Sequence, residues 1–437
     1  MKSNKIIVVF LLFSALFFGG CATMGNQIGL LGGRLPNNLQ SAEQKMLEDA
    51  RTFEAFIYKS GAVYENEALE AYLNEVLRKI EPRDINSEEI NFKIKVTKDA
   101  DFNAYAMPQG TIYFTTGFLA NVENEAQLAL VMGHEISHVV NRDLLYFSES
   151  AQSKIVTTKV FDLILTPAAA IFGAGGFCEL GINLICAASV NGYGREQEEK
   201  ADENGFKRMA EAGYKPAEAQ KMYELLIAES EKYSTFKVAP FLKTHPKDED
   251  RKEAILELLK ECPRDINAGI VNGDEFKKIT KDARLENANL NIKFERYQHA
   301  IDDLDKLLEY NKNDAAVYYY MGECYRLMSL NQDAIKRELS KKGWKKMQET
   351  DKEERKKQWQ ALAEEKYVIA IAIDKNYAEP YRGLGFLCEG KAEKEQAITY
   401  LKEYLDKAYN AKDKRFVMSC IEKIEKSLKE AANDKKI

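Results

Sequence analysis

Apolar residues recur along this chain in several rhythms, and the changes of rhythm mark out its elements. The pattern predicts helices over about 41–60 and 65–80. In "INFKIKVT" (90–97), Ile90, Phe92, Ile94 and Val96 alternate with polar partners, the signature of a half-buried strand. "AMPQGTIYFTTGFL" then supplies a Pro/Gly turn and a second strand over Thr111 to Thr116. A long helix is expected from Glu123 to Phe147. Residues 163–190 are almost wholly apolar, but Pro167, the Gly173 to Gly176 cluster and Glu179 interrupt them. They read as helices buried against a site, with peripheral membrane contact as the alternative.

From about residue 280 the chain turns helical and repetitive. Ala300 and Ala334 are thirty-four residues apart, with Tyr318, Gly322 and Tyr325 between them. Tyr381, Gly385 and Ala397 repeat the spacing of Tyr318, Gly322 and Ala334 sixty-three residues later. This is the period and pattern of tetratricopeptide repeats, interrupted by a charged, helix-forming insertion around 336–366 that carries Trp344 and Trp359. A generic helical bundle is the plainer reading.

The length of 437 residues allows two or three domains, and 45% hydrophobic with 30% charged residues is the composition of a folded protein. The net charge of -6 carries no basic excess, which argues against a nucleic-acid partner. Lys2 and Lys5 precede an apolar run from Ile6 to Phe18, followed by Gly19, Gly20 and Cys21. That is the layout of a secretory signal peptide. The small pair before Cys21 resembles the lipobox of bacterial lipoproteins, although Phe18 departs from its usual Leu. Cleavage and lipidation at Cys21 are expected, with plain secretion or an uncleaved anchor as alternatives. Residues 22–40 read as a tether. None of the other cysteines sits in a CxxC, so thiolate zinc is not expected, and exported cysteines can pair.

The chemistry concentrates in "GHEISHVVNRD". His134 and His138 are four apart, so a helix turns both imidazoles toward one ion, with Glu135 beside them as general base and acid. Two solvent-facing histidines on a polar helix would be the bland alternative. The flanking Leu128 to Met132, Val139 and Val140 argue against it, because a buried His pair with a buried Glu needs a compensating metal. A third ligand is offered by "YGREQEEKADENGFKRM", where Glu198 and Asp202 are again four apart. Glu198 would ligate and Asp202 would hold the outer nitrogen of a ligating histidine; a merely solvated acidic face is the alternative.

"NAYAMPQGTIYFTTGFL", "GHEISHVVNRD", "REQEEKAD", "AGYKP" and "THPKDEDR" together resemble the zinc endopeptidases that include the HtpX-type proteases and the CAAX prenyl endopeptidase. The resemblance spans about residues 40–255. It implies one zinc per chain on His134, His138 and Glu198, with Glu135 and Asp202 catalytic. His245 and Arg251 match a pair that would stabilise the oxyanion, and in a similar periplasmic branch the matching histidine caps the zinc from a loop. An exposed polar loop is the alternative for His245. The strand of Thr111, Ile112, Tyr113 and Phe114 would form the edge that binds an extended peptide, with Asn103 fixing the turn before it; a purely structural strand fits equally well.

The expected class is α+β: a signal peptide (1–20), a lipidated tether (21–40) and a mostly helical gluzincin metallopeptidase domain with a small sheet (41–262). An all-α tetratricopeptide-repeat-like domain (263–437) would follow. Function would be zinc-dependent cleavage of unfolded or misassembled envelope proteins, from a periplasmic position lipid-anchored to the outer membrane. The repeats would recruit clients or outer-membrane assembly machinery. The competing reading is a lipoprotein chaperone or scaffold with a silent metal site, and a third is a peptidase whose repeats only stabilise it.

Overall fold

The computed structural model describes residues 37–82, 90–146, 193–232, 248–338, 351–408 and 411–434, with Lys345 and Met347. Cys21, the apolar run 163–190, Trp344 and His245 lie outside the described residues. The N-terminal part comprises α1 (Asn37–Lys59), α2 (Glu67–Ile80), β1 (Lys93–Thr97), β2 (Ala104–Ala106), β3 (Thr111–Thr115), α3 (Thr116–Asn121), α4 (Glu125–Val140), α5 (Arg195–Glu211), α6 (Ala217–Lys232) and α7 (Asp248–Glu261). After these come α8 (Gly273–Lys293), α9 (Tyr297–Tyr310), α10 (Ala315–Leu330), α11 (Gln332–Glu338), α12 (Lys352–Ile373), α13 (Glu379–Gly390), α14 (Lys394–Lys407) and α15 (Lys414–Asp434). The expected class is met: mostly helical with one small sheet.

The sheet order is β1-β3-β2, with β1 parallel and β2 antiparallel to β3. The turn from β2 to β3 closes where Gly110 N–H donates to Met107 O at 2.8 Å. Gly110 has φ +97°, and a Cβ there would sit 2.8 Å from the Asn91 carbonyl oxygen, so only glycine suits both constraints. The expectation that β3 forms the sheet edge is therefore corrected. β3 is the central strand, and Thr111, Ile112, Tyr113 and Phe114 are completely buried. Its polar side is covered by α1, whose Glu54 accepts from Thr111 Oγ1 at 3.0 Å and Tyr113 Oη at 3.4 Å. With those hydroxyls satisfied, both faces of the strand can leave water.

The edge role passes to β2. Thr115 N–H donates to Asn103 O and Met107 N–H to Thr111 O. Alternation in an antiparallel pair then turns the backbone groups of Ala104 and Ala106 away from β3. No strand among the described residues pairs with that outer side.

Helix α4 is buried from Glu125 to Val139, which suits its nearly all-round apolar composition. Asn124 caps it by accepting from Gln127 N–H at 3.0 Å. Its first residue, Glu125, accepts hydrogen bonds from Tyr72, Tyr214, Asn272 and Lys79. The helix ends at Val140 and not at Phe147, because Asn141 and the left-handed Arg142 (φ 58°) turn the chain back.

Helix α8 joins the two parts. Phe276 and Ala283 belong to the core around α4, whereas Ala288 belongs to the next helical core. Arg284, 3% exposed, donates to the carbonyls of Ala120 and Val122 and so closes the end of α3. Beyond it, sequential helices pack on one another. A Cβ on Gly322 would meet the Tyr367 ring at 2.6 Å, and one on Gly385 would meet Leu401 at the same distance. Ala300 and Ala397 are fully buried, so the small positions do lie at helix contacts. Residues 352–366 of the charged insertion form the first part of α12. Among the described residues, Cys262, Cys324, Cys388 and Cys420 are free thiols, and no helix is long and apolar enough to cross a membrane.

Candidate metal centre

The site is made where α5 crosses α4. Gly133 and Gly205 meet at the crossing: a Cβ on Gly205 would lie 2.9 Å from His134 N and Leu130 O, and one on Gly133 3.0 Å from Gly205 Cα. Two missing side chains thus let the helices approach closely enough for Glu198, in the first turns of α5, to reach both histidines. His134 Nε2 and His138 Nε2 are 3.0 Å apart. Glu198 Oε2 is 3.6 Å from the first and its Oε1 is 3.7 Å from the second. Nitrogens about 2.0 to 2.1 Å from a tetrahedral zinc stand roughly 3.3 Å apart, so the spacing fits that ion. All three side chains are 2–3% exposed, and their ligand atoms lie within 4.8 Å of one another.

The remaining ring nitrogens are held from behind, which leaves Nε2 of each histidine for the ion. His134 Nδ1 lies 2.8 Å from Asp202 Oδ1, and His138 Nδ1 lies 2.7 Å from Asp143 Oδ2. Arg251 grips Asp202 with Nε at 2.7 Å and Nη2 at 2.5 Å, and its Nη1 is 3.7 Å from Glu198 Oε2. Arg251 also reaches Tyr223 Oη at 3.3 Å. Burial opposes ionisation of Asp202, but the charge and hydrogen bonds of Arg251 prevail and hold its carboxyl well below the usual range. Burial likewise opposes a charged His138, yet the Asp143 contact and the Glu198 carboxylate raise its proton affinity. A metal must displace that proton, so binding strengthens as pH rises.

Glu135, 2% exposed, sits on the same buried helix between the ligands. Asn103 is buried at the start of β2, where its N–H donates to Thr115 Oγ1 at 3.2 Å.

The sequence reading missed Asp143 and Gln197. Gln197 Oε1 accepts from Gly194 N–H at 2.9 Å while its Nε2 donates to Asp143 Oδ1 at 3.0 Å. One side chain therefore ties the start of α5 to the carboxylate behind His138. Asp143 stands inside the quoted motif, five residues after His138, but five is not a same-face helical spacing, and only the turn at Arg142 brings it back. Tyr193 was missed too; its ring packs on that of His138 with centroids 4.1 Å apart.

Residues 65–259 match peptidase family M48. The chain is 32% identical over 172 residues to the Vibrio cholerae homologue of the beta-barrel assembly-enhancing protease, covering 38% of this chain and 34% of that one. It is 29% identical over 167 residues to the beta-barrel assembly-enhancing protease of Escherichia coli, again 38% and 34%. The mitochondrial metalloendopeptidase OMA1 of Schizosaccharomyces pombe is 29% identical over 191 residues, 44% of this chain and 53% of that one. The chain thus spans about a third to a half of the length of these relatives. With the two histidines, Glu198 and the buried Glu135 assembled inside the matching segment, residues 65–259 are similar to the metallopeptidase domains of peptidase family M48 in both sequence and the layout of the metal-binding cluster.

Proposed function

We propose that the protein is a zinc-dependent endopeptidase that cleaves extended segments of unfolded or misassembled envelope proteins. The observation that carries this reading is Glu135, buried on α4 beside the cluster of His134, His138 and Glu198. His134, His138 and Glu198 would hold the zinc, which would supply Lewis-acid activation of water. Glu135 accepts the proton of the attacking water and returns it to the departing amine. Asp202 and Asp143 hold the two imidazoles in their ligating orientation, and Arg251 fixes Asp202. Arg251 also brings positive charge to within 3.7 Å of Glu198, where a developing oxyanion benefits from a cation. His245 is proposed as its companion, donating to the intermediate or capping the metal.

The outward backbone groups of Ala104 and Ala106 give an incoming peptide a strand to pair with. A folded client presents no such segment, so the enzyme would select unfolded chain. The N-terminal pattern ending at Cys21 supports export and a lipid anchor, and the named role of two relatives in beta-barrel assembly supports an outer-membrane setting. The helices from α8 onward are proposed as tetratricopeptide-like repeats that recruit clients or assembly machinery.

Metal content and casein cleavage of the chain lacking residues 1–21 test the proposal. One zinc per chain is expected, with cleavage abolished by chelation, restored by zinc, and reduced at least about 100-fold in Glu135→Gln. Increased cleavage in His245→Ala would identify a gate. Zinc bound without cleavage in any variant would favour the scaffold reading.

A further inference from the structure

The turn that follows α4, residues 142–145, divides its side chains between two destinations. Three of them go to α1. Arg142 Nε donates to Glu43 Oε1 at 2.7 Å, Leu145 shares a small core with Leu39, and Leu144 belongs to the core that holds Ala50 and Ile57. Asp143, between them, goes instead to the metal centre, where its Oδ2 lies 2.7 Å from His138 Nδ1. The residues on either side therefore fix the backbone from which this carboxylate is presented to the ligating histidine.

That backbone needs holding. Arg142 is in the left-handed region at φ 58°, a conformation that is unfavourable for a side-chain-bearing residue and persists only where its surroundings impose it. Within the turn, Arg142 N–H donates to Val139 O and Leu145 N–H to Arg142 O, each at 3.0 Å. The side-chain hold comes from α1. The side chains of Glu43 and Arg142 are 18% and 9% exposed, so solvent and salt screen the pair only weakly. Helix α1 (Asn37–Lys59) lies outside residues 65–259, so this support reaches the site from beyond the segment that matches the peptidase family. The other end of α1 is tied separately, by Glu54 to Lys93 and to Thr111 at 3.0 Å each.

We infer that Glu43 and Arg142 are positioning residues of the metal centre: their ion pair holds the turn that presents Asp143 to His138, and the seating of α1 thereby sets the zinc affinity. The inference rests on the zinc site of the reading above. Neither residue needs to touch the metal or the substrate. With the pair broken, the turn relaxes, Asp143 withdraws from Nδ1, and the imidazole loses the orientation that aims Nε2 at the ion. Gln197 still holds Asp143 Oδ1, so the loss should be smaller than when Asp143 itself is removed.

Chelator competition for zinc tests this on the native chain, Glu43→Gln, Asp143→Ala, the Glu43→Gln/Asp143→Ala double variant and Lys93→Met, with circular dichroism melts to check folding. Glu43→Gln should weaken zinc about fivefold, below the 10- to 100-fold expected for loss of the supporting group itself. In the Asp143→Ala background the same change should cost less than about twofold, because the route it acts through is already gone. Lys93→Met loosens α1 at the end away from Asp143 and should leave zinc affinity within about twofold of native. Cobalt bound in place of zinc reports ligand geometry: its visible absorption should change in Glu43→Gln and stay native in Lys93→Met. Zinc affinity and cobalt absorption unchanged in Glu43→Gln, additive losses in the double variant, or equal weakening in Lys93→Met would each overturn the positioning role while leaving the zinc site intact. No zinc bound by the native chain would overturn the metal reading itself, and the positioning role with it.

Discussion

Replacing Gly205 by alanine probes the crossing that makes the metal site. The added Cβ would stand 2.9 Å from His134 N and Leu130 O, whereas ordinary contact begins at 3.4 Å. The shortfall is 3.4 minus 2.9, or 0.5 Å, and both obstructing atoms are backbone of the helix that carries the histidines. No side chain can swing away, so α5 must shift relative to α4. Glu198 lies seven residues earlier on α5, two turns away on nearly the same face, and moves with it. Zinc tolerates changes of only about 0.2 Å in ligand distance. The metal should therefore bind roughly 10- to 100-fold more weakly, as when the support behind a ligand is lost. The metal-free protein should lose about 1–3 kcal/mol from overpacking. Chelator competition gives the zinc affinity, and urea unfolding of the metal-free chain gives the stability. Gly390→Ala is the control, since a Cβ there would meet nothing within 4 Å. Zinc affinity within twofold of native for Gly205→Ala, with unchanged stability, would refute the role given to this close approach.

Three further outcomes are expected. Asp143→Ala should weaken zinc binding about 10- to 100-fold by releasing His138, with Gln197→Leu giving a smaller loss in the same chelator titration. Arg251→Met strands the buried Asp202 carboxylate and should cost about 3–5 kcal/mol in urea unfolding. The double variant with Asp202→Asn should recover part of that loss, and a double variant no more stable than the single one would contradict the pairing. Glu125 supplies a pH dependence: burial raises its pKa, but bonds from Tyr214, Tyr72, Asn272 and Lys79 outweigh it and hold the carboxyl below its ordinary 4.5. A depressed folded-state value gives stability that is present above about 4.5 and fades as pH falls through the folded value. Glu125→Gln should therefore be about 2 kcal/mol less stable than native at pH 7, a gap that closes on acidification in thermal melts; a gap constant with pH would refute it.

Local pattern was sufficient wherever the relevant atoms are close in sequence. The four-residue spacing of His134 and His138 puts both on one face of any helix, and the apolar neighbours of that helix announce its burial. Glu198 and Asp202 share a face of α5 for the same reason, so the ligands and one supporting carboxylate were legible. The small residues at 300, 322, 385 and 397 likewise marked helix contacts before any coordinates.

What tertiary structure alone decided involves groups brought together from afar. "TIYFTT" alternates polar and apolar residues, as a strand with one solvated face does, yet β3 is central and buried on both faces. Its hydroxyls find Glu54, more than fifty residues earlier, and without that partner the polar side would have to face water. Asp143 reaches His138 only because the chain reverses at a left-handed Arg142. Gly133 and Gly205 acquire meaning only at the crossing they permit, since a missing side chain is silent until another backbone occupies its place. Periodicity encodes which way a residue faces along its own element, and the packing of separate elements determines what it meets there.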